Sequence, residues 1–590
     1  MIIVRFRLGE RGMKKRIGVP SIKKAVLGLL VAAATLTGCG KTPAPAEGLA
    51  DNTSPAQNET TALNIIIDDK YRTTYEVFVY SFYDSDGDGI GDLKGLTQKL
   101  DYINDGDTGT DTDLGCNQIW LMPISPSPTY HKYDVTDYKD IDPQYGTLED
   151  FDELLKACHD RGVRVIIDTV FNHTSVEHPW FTEAAEFLKN HDELDIDEAK
   201  QQCPFINYYN FSSEQKDGYE PLPGTEYYYE ARFWSGMPDL NLDSEDVRAE
   251  LKDILKFWID RGVDGFRMDA VTSYYTGDDI KNIEFMTWLN DTAKELDPET
   301  YIVCEAWTNS ATYTKYYKSG IDSFFDFDYA GSEGLIAGIA RGTTPASKYA
   351  ESIAETEKTL LQINPDSVDA PFYTNHDMAR SAGYFTGKGS EDKTKLAGAL
   401  NLLMKGNAFI YYGEELGMKG SGKDENKRAP MQWTADANAE GMCDGPKDME
   451  EVKMKYPALD EQQEDLFSIY NYFKNAIRLR NLYPVISRGN TTPIEELSGK
   501  EICAFVRSVT EEEEQEYLTA SGDNDSGLFG PTQLLFIINT SGEEQTVDLS
   551  VAAEADAFTV IDYQLITSQV HASIENRTVT MPAYGIVIMR

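Results

Sequence analysis

Four apolar runs carry a carboxylate near the point where a buried strand would end. They are Asp168-Thr-Val-Phe-Asn172-His173, Gly265-Phe-Arg267-Met-Asp269-Ala270, Cys304-Glu305-Ala-Trp307 and Thr374-Asn375-His376-Asp377. Desolvating an unpaired Asp or Glu is costly, so a carboxylate in such a place has a partner or a task. One alone reads best as a structural ion pair. Several that converge with Arg267, His173 and His376 read better as a catalytic centre. Strand side chains alternate, so Arg267 and Asp269 point the same way, and the guanidinium can hold Asp269 ionised as a carboxylate nucleophile. Glu305 on the next strand can stay protonated beside that charge and act as a general acid. Two carboxylates in unlike environments are what glycoside hydrolysis requires.

Such residues need a scaffold that brings strand ends together. From about residue 70, eight β-type runs alternate with helical patterns: 76–82, 117–124, 163–171, 265–271, 301–307, 324–329, 371–375 and 409–412. Buried runs separated by helices predict an α/β fold, a (β/α)₈ TIM barrel, whose chemistry sits at the C-terminal ends of the strands. Two helix–strand joints are near copies, Arg161-Gly162-Val163 and Arg261-Gly262-Val263, with glycine where a left-handed C-cap belongs. Residues 174–240 interrupt the rhythm as an aromatic- and acid-rich insertion after strand 3. Beyond about 485, alternating strands (533–538, 557–563 and 585–588) predict a C-terminal all-β sandwich domain. Glu511–Glu514 reads as a solvated loop.

These motifs, in this order, resemble the signature regions of the α-amylase family of glycoside hydrolases. Met237-Pro-Asp239-Leu-Asn241 is similar to a fifth region, in the family's domain B. Tyr412-Gly-Glu-Glu-Leu-Gly417 and Arg428-Ala-Pro-Met-Gln-Trp433 are similar to later barrel segments. The resemblance covers about residues 65–590. It implies Asp269 as nucleophile, Glu305 as acid and then base, and Asp377 as the third carboxylate gripping sugar hydroxyls. It also implies Arg267, His173 and His376 at the cleavage subsite, and Tyr133 as the aromatic on which that ring stacks. Asp168 and Asn172 are more often structural in the family. Retention of configuration is expected, with the two carboxyls roughly 5–5.5 Å apart.

Asp84-Ser-Asp86-Gly-Asp88-Gly-Ile90-Gly-Asp92 packs four carboxylates into nine residues. Their mutual repulsion calls for a hard cation with oxygen ligands. Gly95 stands where an EF-hand needs Glu, so that motif is excluded. The loop resembles the calcium loop of the family's oligo-1,6-glucosidase branch, which implies Ca²⁺ held structurally by Asp84, Asp86, Asp88, the Ile90 carbonyl and Asp92.

Specificity is read from departures. Exo-acting members often carry Asp three residues before the stacking Tyr; here that position is Tyr130. Ala270 after the nucleophile resembles α-1,4 specificity. Thr272-Ser273 departs from the Lys-His of many α-amylases. The expected activity is endo-acting cleavage of α-1,4 bonds in starch, maltodextrin or malto-oligosaccharides. The alternatives are an exo-acting α-glucosidase, oligo-1,6-glucosidase or neopullulanase-like enzyme, then a transglycosylase or a non-catalytic glycan-binding barrel.

The N-terminus carries an address. Basic Lys14, Lys15, Arg16, Lys23 and Lys24 precede an apolar run from Ala25 that ends in Leu36-Thr37-Gly38-Cys39. The run suits a signal peptide better than a membrane span, and Met13 fits as its start. Leu-Thr-Gly-Cys resembles a bacterial lipobox, implying lipidation of Cys39 and an extracytoplasmic, membrane-anchored lipoprotein. The expected organisation is signal peptide 1–38, flexible linker 39–64, barrel 65–173, domain B 174–240, barrel 241–485 and domain C 486–590. Without residues 1–38 the chain has 98 acidic and 46 basic residues, against 99 and 54 in full. That charge excludes nucleic acid as a partner and suits a neutral glycan. The six remaining cysteines show no paired spacing and read as buried thiols. The membrane is expected as a partner only through the lipid, and the protein as a monomer.

Overall fold

Parallel pairing of short, fully buried strands builds the centre of the molecule. The computed structural model describes residues 67–191, 193–520 and 530–590, all within one compact unit, Thr61–Arg590. The signal peptide, Cys39 and the whole of the linker lie outside the described residues. β1 (Thr73–Val77), β2 (Gln118–Leu121), β3 (Arg164–Thr169), β4 (Gly265–Met268), β5 (Tyr301–Cys304), β6 (Ser323–Phe324) and β7 (Ala408–Tyr411) form one curled sheet in the order β7-β1-β2-β3-β4-β5-β6. Single parallel bridges, Phe325 to Ala370 and Phe372 to Phe409, carry the ring from β6 to β7. The expected strand at 371–375 is thereby reduced to two bridges. Pro371 has no N–H to donate to a ladder, though its carbonyl accepts from Phe409 N at 2.9 Å.

Inside the ring, Trp120, Ile166, Tyr301, Val303, Phe325, Phe372 and Phe409 form a plug of side chains rather than a pore. Outside it, helices bury one apolar stripe. Glu245–Arg261 is started by Ser244, whose side chain accepts from Val247 N, and buries Val247, Leu251, Ile254, Leu255 and Trp258. It ends at Gly262 with φ 102°, and Gly162 at the copied joint has φ 72°. Both positions need a left-handed residue.

The segment after β3 leaves the barrel as two helices (Pro179–Asn190, Ile196–Gln202) and a small antiparallel sheet. His173 bridges Asp239 and Tyr209 bridges Leu240, which ties both ends of this excursion to the barrel rim. Its aromatics divide by burial. Tyr208, Tyr209 and Tyr229 are buried in its core, whereas Trp234 is half exposed.

Beyond the barrel, Asn490–Pro493, Ile502–Ser508, Gln533–Asn539, Ile586–Met589 and Ile561–Leu565 form a five-stranded antiparallel sheet beside a three-stranded one. The strand expected at 557–563 begins later, at Ile561. The larger sheet is buried on both faces: Leu534, Phe536 and Ile538 join the main core, and Leu535 and Ile537 a second one. Glu511–Glu514 is not a loop but the first turn of a helix, Glu511–Ala520. Thr510 and Glu513 cap it reciprocally, with Glu513 N donating to Thr510 Oγ1 (3.2 Å) and Thr510 N to Glu513 Oε2 (2.7 Å). Acidic residues also suit the positive end of the helix dipole.

Candidate active site

The barrel strands stop just short of the residues they deliver. β4 ends at Met268 and β5 at Cys304, so Asp269 and Glu305 are the first residues past the ladder. Their amides still bond back, Asp269 N to Thr169 O (3.2 Å) and Glu305 N to Met268 O (2.9 Å), which fixes both side chains over the barrel. Arg267 is fully buried, its guanidinium 5.2 Å from the Trp120 ring centroid. Its Nη1 donates to Asp168 Oδ1 and Oδ2 (2.9 and 3.0 Å) and to Asp269 Oδ1 (2.6 Å). Nη2 stands 3.2 Å from Glu305 Oε2.

Three carboxylates therefore share one cation. Burial pushes Glu305 up to about 7 against the pull of Arg267, and the charges of Asp269 and Asp377 push the same way as burial. Ala270, at the left-handed φ of 48°, turns its N–H onto Glu305 Oε2 at 3.1 Å. A non-glycine residue held there is strained by about 1–2 kcal/mol. Both contacts to Glu305 fall on Oε2, which leaves Oε1 for a proton. The site can thus pair an ionised carboxylate with a protonated one.

Asp377 is gripped at both oxygens, by His376 Nε2 on Oδ2 (3.0 Å) and Arg428 Nη2 on Oδ1 (3.1 Å). Burial opposes its charge, but these cations hold its carboxyl far below the usual range. His376 Nδ1 meets the buried Glu76 at 2.5 Å. Burial works against the imidazolium, yet Asp377 and Glu76 together raise His376 to about 10. Tyr133 stacks on His376, centroids 5.5 Å apart, and its hydroxyl reaches His376 Nε2 (2.7 Å) and Asp168 Oδ2 (3.0 Å). Lys132 before it is buried at φ 65° and pairs with Asp142 at 2.8 Å, which sets this loop. His173 is buried beside Asn172 Nδ2 (3.2 Å), with the half-exposed Phe233 ring 5.1 Å away.

Asp269, Glu305, Asp377, Arg267, His376 and Tyr133 are thus linked to one another, while His173 contacts Asn172 and Phe233 and its Nε2 has no hydrogen-bond partner. The sequence reasoning missed Glu76, Lys427, Asp424 and the grip of Arg428 on Asp377. Glu76 had a visible signal, a charge inside an apolar run. The other three belong to one short helical turn, Asp424–Lys427, and its cap Arg428, which carry no strand pattern.

Near the barrel rim, one carboxylate oxygen each of Asp84, Asp86 and Asp88 lie within 4.8 Å of one another. These are hard donors of the kind calcium takes, so the residues fit the ion. Asp92 stands outside that group. Its oxygens accept from Ser85 N and Oγ and from Gly95 N (each 2.8 Å), capping the helix Leu93–Gln98. All six described cysteines are free and buried. Among the described residues no helix is long and apolar enough to cross a membrane.

Comparison with known proteins agrees with this geometry. The alpha amylase catalytic domain matches residues 76–489. Alpha-amylase 3 of Dictyoglomus thermophilum is 40% identical over 425 residues, covering 71% of this chain and 79% of that protein. The oligo-1,6-glucosidase of Heyndrickxia coagulans is 28% identical over 508 residues, covering 71% and 86%. The solved structure of Eubacterium rectale Amy13B superposes with a TM-score of 0.81 at 47% identity, covering 89% of this chain and 96% of that one. With a (β/α)₈ barrel and separate antiparallel C-terminal sheets, the chain belongs to the alpha-amylase family of glycoside hydrolases.

Proposed function

We propose that the protein is a retaining α-amylase that cleaves internal α-1,4 bonds of starch and maltodextrins, anchored outside the cytoplasm by lipid on Cys39. The observation that carries the mechanism is the single Arg267 guanidinium shared by Asp168, Asp269 and Glu305, with Glu305 at about 7. Asp269 attacks the anomeric carbon as Glu305 protonates the departing oxygen, leaving a glycosyl ester on Asp269. Glu305, now ionised, takes a proton from water as that water attacks the anomeric carbon. The ester bond breaks, and the double displacement restores the original configuration.

Asp377, His376, Arg267 and His173 bind hydroxyls of the ring being cleaved, and Tyr133 stacks beneath it. The proposal includes a monomer, for which one chain's residues suffice. Asp84, Asp86 and Asp88, with the Ile90 carbonyl, would hold calcium, while Asp92 anchors the end of the loop as the cap of the next helix. The ion's contribution is charge neutralisation that fixes the loop, and no chemical step needs it.

Endo action is supported by Tyr130 and Ala270 and by half-exposed aromatic faces that suit a long glycan. Trp307, two residues past Glu305, is 53% exposed and rests on Phe327 with centroids 5.0 Å apart. The test is the time course of products from amylose. Mixed malto-oligosaccharides at early times are expected; glucose alone from the start would replace this reading with the exo-acting one. Anchoring is tested separately: Cys39→Ser should move the protein from the detergent phase to the aqueous phase.

A further inference from the structure

Arg428 is buried, and its backbone is pinned. Its carbonyl accepts from Ser81 Oγ (2.8 Å), and the preceding carbonyl, Lys427 O, accepts from Arg380 Nε (2.9 Å) and Tyr411 OH (3.2 Å). The side chain is held less completely, since Nε has no hydrogen-bond partner. Two carboxylates restrain the guanidinium. Nη1 pairs with Asp424 Oδ2, and Nη2 lies 3.1 Å from Asp377 Oδ1. Asp424 is itself restrained from across the mouth, because Tyr130 OH donates to its Oδ2 at 2.9 Å. Lys427 Nζ completes the cluster, 2.8 Å from the Asp377 carbonyl and 3.4 Å from Asp424 Oδ1.

Asp377 is about one-third exposed toward the mouth. Without Asp424, the Arg428 fork would be free to close on Asp377 with both nitrogens, the geometry guanidinium and carboxylate prefer. That would occupy the oxygens needed for sugar hydroxyls. Burial raises Asp424, but Arg428 beside it more than compensates and keeps it ionised.

We propose that Asp424 is a positioning residue: it holds one arm of Arg428 so that the other aims Asp377 at the substrate, and Tyr130 fixes Asp424 in that role. The inference rests on the amylase reading of Asp377.

The test is a double-mutant cycle on a malto-oligosaccharide, with thermal unfolding of every variant. Asp424→Asn is expected to lower kcat about 10–100-fold, since displacing a catalytic group by about 1 Å costs that order. KM should stay within about threefold and Tm near that of the natural chain. Asp424→Glu should recover most of the loss, and Tyr130→Phe should cost only about three- to tenfold. In the Asp377→Asn background, Asp424→Asn should add less than about twofold, because its effect passes through Asp377. The inference is overturned if Asp424→Asn leaves kcat unchanged, or costs the same factor with and without Asp377. If Asp424→Asn does not fold, Tyr130→Phe is read in the same cycle with the same criterion. Full activity of Asp377→Asn would instead sink the amylase reading and take the inference with it.

Discussion

The molecule holds two clusters of carboxylates, and they are neutralised in opposite ways. At the barrel mouth, Asp168, Asp269, Glu305 and Asp377 meet Arg267, His376 and Arg428, all buried cations of the chain itself. In the Asp84–Asp92 loop, no lysine, arginine or histidine pairs with any of the four aspartates among the described residues. There the carboxylates accept from backbone N–H groups, as Asp84 does from Asp86, Gly87 and Gly89. Internal cations fix each carboxylate's orientation and protonation, which is what proton transfer and nucleophilic attack demand. A cluster with no internal cation keeps its oxygens for an external one. On the proposed function, placement relative to cations, rather than the number of acids, separates chemistry from metal binding.

Removing Asp269 tests that division most severely. Asp269→Asn should lower kcat/KM by about 10⁴-fold or more while leaving calcium binding and the fold intact. Residual hydrolysis near the natural rate would dissolve the contrast between the clusters. Glu305→Gln should cost about 10²–10⁴-fold on glycans but far less on an aryl glycoside with a good leaving group, which needs no protonation to depart.

The same residue sets a pH limb. In the proposed mechanism the acid form of Glu305 is the active one, and its carboxyl sits at about 7 because it is buried near Asp269 and Asp377. Activity should therefore fall as pH rises through about 7. That limb should vanish from Glu305→Gln acting on the activated substrate. A limb that persists there would assign it to another group.

Chelation addresses the other cluster. If calcium normally stands 100–1,000-fold above its Kd, removing it should cost about 3–4 kcal/mol of stability, read as a lower Tm. Asp86→Ala should make Tm insensitive to chelator, and the pH limb should not move in either case. A chelator that abolished activity at temperatures where the fold is intact would give the ion a role beyond structure.

The smallest effect concerns His376. Its charged form is favoured in the folded state, from an ordinary value of 6.5 up to about 10, by Asp377 and Glu76 against the cost of burial. The stability it adds is fully present below about 6.5 and is lost as pH rises through about 10. Glu76→Gln should shrink that alkaline loss of Tm, and an unchanged profile would remove Glu76 from the imidazolium's support.

Legibility followed the physics of each element. The mouth residues could be read because a charge inside an apolar run is expensive and so conspicuous. Glu76 obeyed the same rule and was passed over because its partner, His376, lies 300 positions away. The Glu511 run was misread because its charges suggested solvent, whereas Thr510 and Glu513 cap a helix and Tyr517 packs on Tyr71 at 5.7 Å. The strand expected at 371–375 is reduced beside Pro371 to two bridges, and only the closed ring shows that they suffice to complete it.

The sequence alone determined which residue types stand at which strand ends, and alternation then put Arg267 and Asp269 on one side. Those are local matters, set by backbone geometry over a few residues. Tertiary structure decided that Asp168 and Glu305 share that same guanidinium, that Asp92 caps a helix, and that Asp424 and Tyr130 reach Asp377 through Arg428. Such contacts depend on how loops distant in sequence meet over the barrel mouth, and no local pattern encodes that meeting.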